Sequence, residues 1–364
     1  MREITGPQYN YCIANLACSI LSYYGVQPPN NTLPVADELL AKKYKNVVVL
    51  LLDGMGVSSI EKHLSPDGFF RRNLKATYSS TFPPTTVAAT TAIDSGLFPN
   101  QSGWLGWTGY FPQIDRNIIY FWNIDNDTGE KIENQDVART FVPYQSIRER
   151  IGETGIKPVY LAPFVEPFPN YFLQFTNLIR EQCQADGRKY IYAYWDEPDH
   201  MMHDNGVEGE EIQKLLRDME VQTEKLASEL TDTLLIVTAD HGHISIHNEV
   251  LTDYPEICEC LVRMPSMEGR ALNLFVKDGM KREFEKRFIQ CFGNQFILMS
   301  KDDVLKKQLL GTGENHPELN RMLGDYLAVG TGDTVIVNTP SDHKGNHAGL
   351  TEAEMRIPLI AVSR

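Results

Sequence analysis

Six consecutive apolar residues, Val47-Val48-Val49-Leu50-Leu51-Leu52, run without a polar break into Asp53-Gly54-Met55-Gly56. A strand that is apolar at every position, and not at every second one, has to be covered on both faces; that requires a parallel sheet between two layers of helices. The runs Tyr190–Trp195 and Thr233–Thr238 have the same character, and Val159–Ala162 and Pro358–Val362 are shorter versions of it. Between the first two of these, Ile212, Leu215, Leu216, Met219, Leu226 and Leu230 share one helical face, with Glu and Lys on the other. Strand, helix, strand is a βαβ crossover, so the expected fold is α/β: a doubly wound, mostly parallel sheet with helices on both faces.

With 364 residues the chain has room for more than one minimal domain. From residue 257 to 338 its character changes. Lys281–Ile289 is patterned as an amphipathic helix, Gln295–Met299 as a short strand and Lys301–Leu310 as a second helix. We read 257–338 as a small α+β insertion into a core formed by 1–256 and 339–364. The charged share, 23%, is that of an ordinary globule. No apolar run reaches the ~20 residues needed to span a bilayer, so no membrane partner is expected. Met1–Pro7 has no charged-then-apolar secretory pattern, and Ile13, Leu16, Ala17, Ile20 and Leu21 form a helical stripe suited to packing. The six cysteines contain no C-x-x-C pair and are expected as reduced thiols of a cytoplasmic protein. A net charge of −14 repels a polyanion, so no nucleic-acid polymer is expected as a partner. A small phosphorylated ligand stays open, because bound metal ions reverse the field locally.

Ligands of such sheets sit beyond the carboxyl ends of the strands, and there the polar residues gather. Asp53 ends the first run; alone it would pass for a cap of the next turn. After Trp195 come Asp196-Glu197-Pro198-Asp199-His200-Met201-Met202-His203. Asp199 and His203 share a face if this stretch is helical and could chelate one divalent ion, with Asp196, Glu197, His200 and Asp204 as competitors; a solvated loop is the plain alternative. Thr238-Ala239-Asp240-His241-Gly242-His243 follows the third run, and core packing does not explain an Asp–His pair there. Asp342-His343-Lys344-Gly345-Asn346-His347 precedes the last run. Pro83-Pro84-Thr85-Thr86 followed by small residues describes a helix N-terminus, whose free N–H groups favour an anion. A threonine there is either an N-cap or a nucleophile, and the second role needs a metal or a base to activate it. Trp104 and Trp107 are either aromatic core under a loop or a surface on which a substrate ring stacks.

Together, LLDGMG, STFPPTT…SGLFPNQSG, EPDHMMH, TADHG and NHAGL resemble the alkaline phosphatase superfamily, most closely its type I phosphodiesterase/nucleotide pyrophosphatase branch. The resemblance runs from Asn46 to Gly242, returns at His347, and leaves the insertion unmatched. It implies an alkaline-phosphatase-like core and two divalent metal ions, zinc or else manganese. Asp53, Thr86, Asp240 and His241 would hold one ion; Asp199, His203 and His347 the other. It implies Thr86 as nucleophile, ten residues before Gly96, although the family's Thr-Phe-Pro element points to Thr81; we rank Thr86 first, then Thr85, then Thr81. It also implies hydrolysis of small phosphorylated, nucleotide-like substrates through a phosphothreonine intermediate. The alternatives are a phosphomonoesterase or phosphonate hydrolase on the same metals, and an inactive binder of phosphorylated ligands. The helix after Thr86 offers no Arg for the extra anionic oxygen of a monoester, which tilts the reading toward diesters.

Overall fold

The computed structural model describes residues 4–364; Met1, Arg2 and Glu3, which open the N-terminal stretch read above, lie outside it. The six-stranded sheet at its centre is built from β1 (Asn46–Leu52), β2 (Leu74–Ser79), β3 (Lys157–Leu161), β4 (Lys189–Trp195), β5 (Thr233–Thr238) and β6 (Arg356–Ser363). Their spatial order is β2-β6-β5-β1-β4-β3. Every residue of β1 is buried, as an uninterrupted apolar strand demands. β1 pairs in parallel with β4, Leu52 opposite Trp195, and with β5, Leu51 opposite Thr238. This register aligns the three carboxyl ends, so Asp53, the turn after Trp195, and Asp240 all emerge at one edge.

β6 lies between β2 and β5 and is antiparallel to both. Its apolar run gives no hint of direction, and β2 escapes the sequence reading because Leu-Lys-Ala-Thr-Tyr-Ser alternates only weakly. The crossover from β4 to β5 is made by α3 (Glu210–Glu229), which buries Ile212, Leu216, Met219 and Leu226. Two other helices matter for the site. α1 (Thr86–Ser95) follows the double proline, and α2 (Asp199–Asn205) follows Pro198.

A second, seven-stranded antiparallel sheet takes four strands from Ser266–Glu268, Ala271–Leu274, Phe296–Ser300 and Tyr326–Gly330. The other three, Thr108–Phe111, Arg116–Ile119 and Ile124–Asp125, come from well before the 257–338 segment. Phe284, Phe288 and Phe292 of the helix Lys281–Phe292 pack with Phe296 in the core on one side of this sheet. No described helix is long and apolar enough to cross a membrane.

The second sheet is fastened to the first by a fully buried ion pair. Arg270 reaches Glu354 through Nε (2.7 Å) and Nη2 (3.0 Å), and donates to the Thr334 and Gly332 carbonyls. Glu354 also accepts from the N–H groups of Gly349 and Thr351, closing the turn beyond His347. Removing one partner strands a charge in the interior, so Arg270→Ala is expected to lower unfolding free energy by about 3–5 kcal/mol. Urea denaturation measures it; a loss below about 1 kcal/mol would show that the pair is solvated or dispensable.

Candidate metal centre

The strand ends bring the acidic and imidazole side chains into contact. Gly54, at φ +72°, lets β1 and α2 approach closely: a Cβ there would lie 3.0 Å from Asp199 Cα and 3.1 Å from His243 Cδ2. Asp53 and Asp240 are buried, and each has one oxygen held and one free. Asp240 Oδ1 accepts from the N–H of Gly54 (3.1 Å) and of His241 (3.0 Å), and Asp53 Oδ2 accepts from the Tyr194 hydroxyl. Their other oxygens, Asp53 Oδ1 and Asp240 Oδ2, are buried without a hydrogen-bond partner. They lie 3.3 and 3.6 Å from His241 Nε2. Because His241 Nδ1 faces the Gly242 carbonyl at 3.1 Å, Nδ1 carries the proton and Nε2 presents a lone pair.

A second group adjoins this one. Asp199 Oδ1 is hydrogen-bonded to His243 Nε2 and lies 3.8 Å from His347 Nε2; Oδ2 lies 3.5 Å from His203 Nε2. His203 Nδ1 donates to Gly345 O (2.9 Å) and His347 Nδ1 to Pro84 O (3.1 Å), again leaving Nε2 as the ligand atom. Asp199 Oδ1 is only 3.9 Å from His241 Nε2, so the two groups touch.

Electrostatics state the same need. Burial, then the charge of Asp199, pushes the Asp53 carboxyl well above its ordinary range; burial, then Asp53, does the same to Asp240. Burial opposes ionisation of Asp199 as well, but His203 and His243 outweigh it and hold that carboxyl low. Burial pushes His243 down to about 4. Two unsatisfied buried acceptors, each costing about 1–3 kcal/mol, converge on one imidazole lone pair, an arrangement that suits a divalent cation. Among the described residues two groups have ligand atoms close enough to share an ion: Asp53, Asp240 and His241; and Asp199, His203, His243 and His347.

Thr86 opens α1, with Thr85 at the N-cap. Thr86 Oγ1 lies 3.2 Å from His241 Nε2, beside the first group. Thr85 instead donates to Glu268 Oε1 at 2.5 Å, and Thr81 Oγ1 is buried without a partner. Asp196, Glu197, His200 and Asp204 belong to neither group. Trp104 is core: 2% exposed, its indole N–H donating to Val142 O, its ring against Tyr120 and Tyr144. Trp107 is half-buried, and with Glu268 and Asn338 it lines a cavity of about 270 Å³.

Sequence reasoning left out three residues here. His243 stands two positions after His241 in the quoted turn, and that spacing was its only signal. Tyr194 comes from inside β4. Glu268, which also accepts from the Trp107 N–H at 2.6 Å, comes from the second sheet, and burial pushes its carboxyl up to about 7.

The family model described as type I phosphodiesterase/nucleotide pyrophosphatase matches residues 47–279, more than half of the chain. The chain belongs to this family. It is therefore a hydrolase of phosphodiester bonds, in a family that depends on metal ions. No curated protein sequence gives a significant match. Among solved structures, murine ectonucleotide pyrophosphatase/phosphodiesterase 5, as an inactive variant in complex with AMP, superposes with a TM-score of 0.66 at 18% identity, over 88% of each chain. The human protein of the same name gives 0.66 at 17% identity, over 86% of this chain and 87% of that one. At these identities the likeness speaks for the fold, a mixed α/β architecture with a central, mostly parallel sheet.

Proposed function

We propose that the chain hydrolyses phosphodiester or pyrophosphate bonds of small nucleotide-like substrates, with Thr86 as nucleophile. The observation that carries this reading is Thr86 Oγ1, 3.2 Å from His241 Nε2 at the junction of the two ligand groups. Asp53, Asp240, His241 and Thr86 would hold one divalent ion, and Asp199, His203, His347 and His243 the other. Mixed carboxylate and imidazole donors suit zinc, and manganese is a second fit. When bound, such ions supply Lewis acidity to the phosphoryl oxygens and lower the pKa of hydroxyl and water nucleophiles.

The protein's own groups do the rest. Thr86 sits on the first turn of α1, where helix N–H groups face a bound anion. Its Oγ gives up its proton to solvent and forms a bond to phosphorus as the ester oxygen opposite departs with a proton, giving a phosphothreonine that still carries the other ester substituent and that water then hydrolyses. Tyr194 fixes the rotamer of Asp53, and the carbonyls of Gly242, Gly345 and Pro84 fix three imidazole tautomers, so the ligand set is preorganised.

A diester is favoured because the helix that Thr86 opens, Thr86–Ser95, carries no Arg or Lys to meet the additional anionic oxygen of a monoester. The AMP bound by the murine neighbour supports a nucleotide-like substrate. The expected kcat/KM for bis(p-nitrophenyl) phosphate exceeds that for p-nitrophenyl phosphate by at least about tenfold, roughly 1.4 kcal/mol of transition-state discrimination. The opposite preference overturns the diesterase reading in favour of a monoesterase, and binding without turnover of either ester makes the protein a silent binder.

A further inference from the structure

We propose that Glu268 sets the charge preference of the site: its carboxylate, brought to the start of α1 by the second sheet, penalises the second negative charge of a phosphate monoester. This role rests on the diesterase reading above and gives it a source of selectivity. A helix without Arg or Lys only fails to reward the extra charge, whereas a carboxylate beside the nucleophile makes that charge costly. Bound divalent ions attract every phosphate ester. A neighbouring anion subtracts more from a dianion than from a monoanion, so it discriminates by charge and not by shape.

Glu268 ends the strand Ser266–Glu268. Its Oε1 accepts both from the Thr85 hydroxyl (2.5 Å) and from the Trp107 N–H (2.6 Å). Thr85 immediately precedes Thr86, so the carboxylate is tethered one residue from the nucleophile, at the end of α1 that faces a bound anion. Its electrostatic surroundings are those of the centre. Burial raises its pKa most, and beyond the two hydrogen bonds the groups that act on it are His241 and Asp199, one from each ligand group. With Trp107 and Asn338 it borders the cavity of about 270 Å³.

The charge is not spent elsewhere. Both hydrogen bonds fall on Oε1, and Oε2 accepts none from a described residue. Among the described residues no Lys or Arg forms an ion pair with Glu268; Arg270, two positions on, is committed to Glu354. Fastening the second sheet to α1 needs only an acceptor, which a neutral amide provides equally well. A half-buried carboxylate without a cation costs stability and adds nothing to that clasp. What the charge adds is a field at the reactive centre.

Glu268→Gln keeps an acceptor for Thr85 and Trp107 and removes the charge. Rates are read at about pH 9, where a monoester with a second pKa of about 6 is a dianion and a carboxyl pushed up to about 7 is ionised. The ratio of kcat/KM for bis(p-nitrophenyl) phosphate to that for p-nitrophenyl phosphate is expected to fall about tenfold, through a gain on the monoester. Glu268→Asp retains the charge and should hold the ratio within about threefold of wild type. Thr85→Ala breaks the clasp but leaves the charge, so it slows both esters by one factor. Metal content should not change in Glu268→Gln, since Glu268 belongs to neither ligand group. Binding reads the same preference without turnover. In a Thr86→Ala background, calorimetric affinity for phenyl phosphate relative to diphenyl phosphate should rise about tenfold when Glu268→Gln is added. A wild type that prefers p-nitrophenyl phosphate discards the diesterase reading, and the binding ratio then still decides the role of Glu268. Rate and binding ratios within about twofold of wild type in Glu268→Gln overturn the proposal. So does an equal loss on both esters, which makes Glu268 a clasp alone, or a shift that appears only with loss of metal.

Discussion

Thr86→Ala is expected to reduce kcat for bis(p-nitrophenyl) phosphate by about 10⁴-fold or more while metal content stays near that of the wild type. Losing a nucleophile that acts as one unit with its activating groups removes nearly all of the chemical acceleration, because no remaining member can act alone. Metal content survives because Asp53, Asp240 and His241 still converge and the whole second group is untouched. The variant fixes the nucleophile only when set beside its neighbours. Thr85→Ala removes a hydroxyl that is occupied by Glu268. Its effect should be about tenfold, the cost of one lost hydrogen bond that leaves the half-buried Glu268 carboxyl without that donor. Thr81→Ala removes a buried hydroxyl with no partner and should leave kcat within a few-fold. Steady-state rates and metal analysis of the three variants decide the matter, and acid quench with peptide mass spectrometry should place a p-nitrophenylphosphoryl group, the part of the diester that stays on phosphorus, on the peptide containing Thr86. If Thr81→Ala abolished turnover and Thr86→Ala did not, the nucleophile would be the threonine of the Thr-Phe-Pro element.

That choice shows what the sequence could and could not carry. Strands β1, β4 and β5 are legible because a strand covered on both faces has nowhere to put a polar residue, and so their carboxyl ends are legible too. Asp53, Asp240 and His241 follow from those ends. Asp199 and His203 follow from helical spacing, once a helix is granted after Pro198. His347 had no spacing argument, and only the resemblance singled it out. By contrast, Thr108–Phe111 is short and pairs with a segment more than 140 residues later, Ser266–Glu268. No local pattern announces such a pairing. Glu268 arrives at Thr85 by the same route, across 183 residues. Tyr194 looks like any aromatic residue of a buried strand until its hydroxyl is placed on Asp53. Trp104 and Trp107, three positions apart, read alike, and their surroundings separate them: one is enclosed by Tyr120 and Tyr144, the other borders a cavity.

Chelation is expected to abolish activity and, independently, to destabilise the fold. Dialysis against a strong chelator should lower turnover at least a hundredfold, restored by zinc or manganese. An ion that binds only the native state stabilises it by about 4 kcal/mol when present at a thousand times its Kd, so the apo protein should unfold at lower temperature and lower urea. His243→Ala should weaken one ion about 10- to 100-fold, as loss of a ligand or of a group orienting one does, and leave the other close to its wild-type affinity. Polar clusters that never bind metal can also destabilise when disturbed, and the isosteric Asp53→Asn separates the two cases. In the apo protein burial and the charge of Asp199 penalise an ionised Asp53, so replacing its carboxyl by a neutral amide should stabilise the fold. With metal present the same change removes a ligand and should destabilise it. A plain hydrogen-bond cluster predicts one sign in both conditions, since the Tyr194 contact is altered equally with or without added metal. Opposite signs require an ion between the carboxylates.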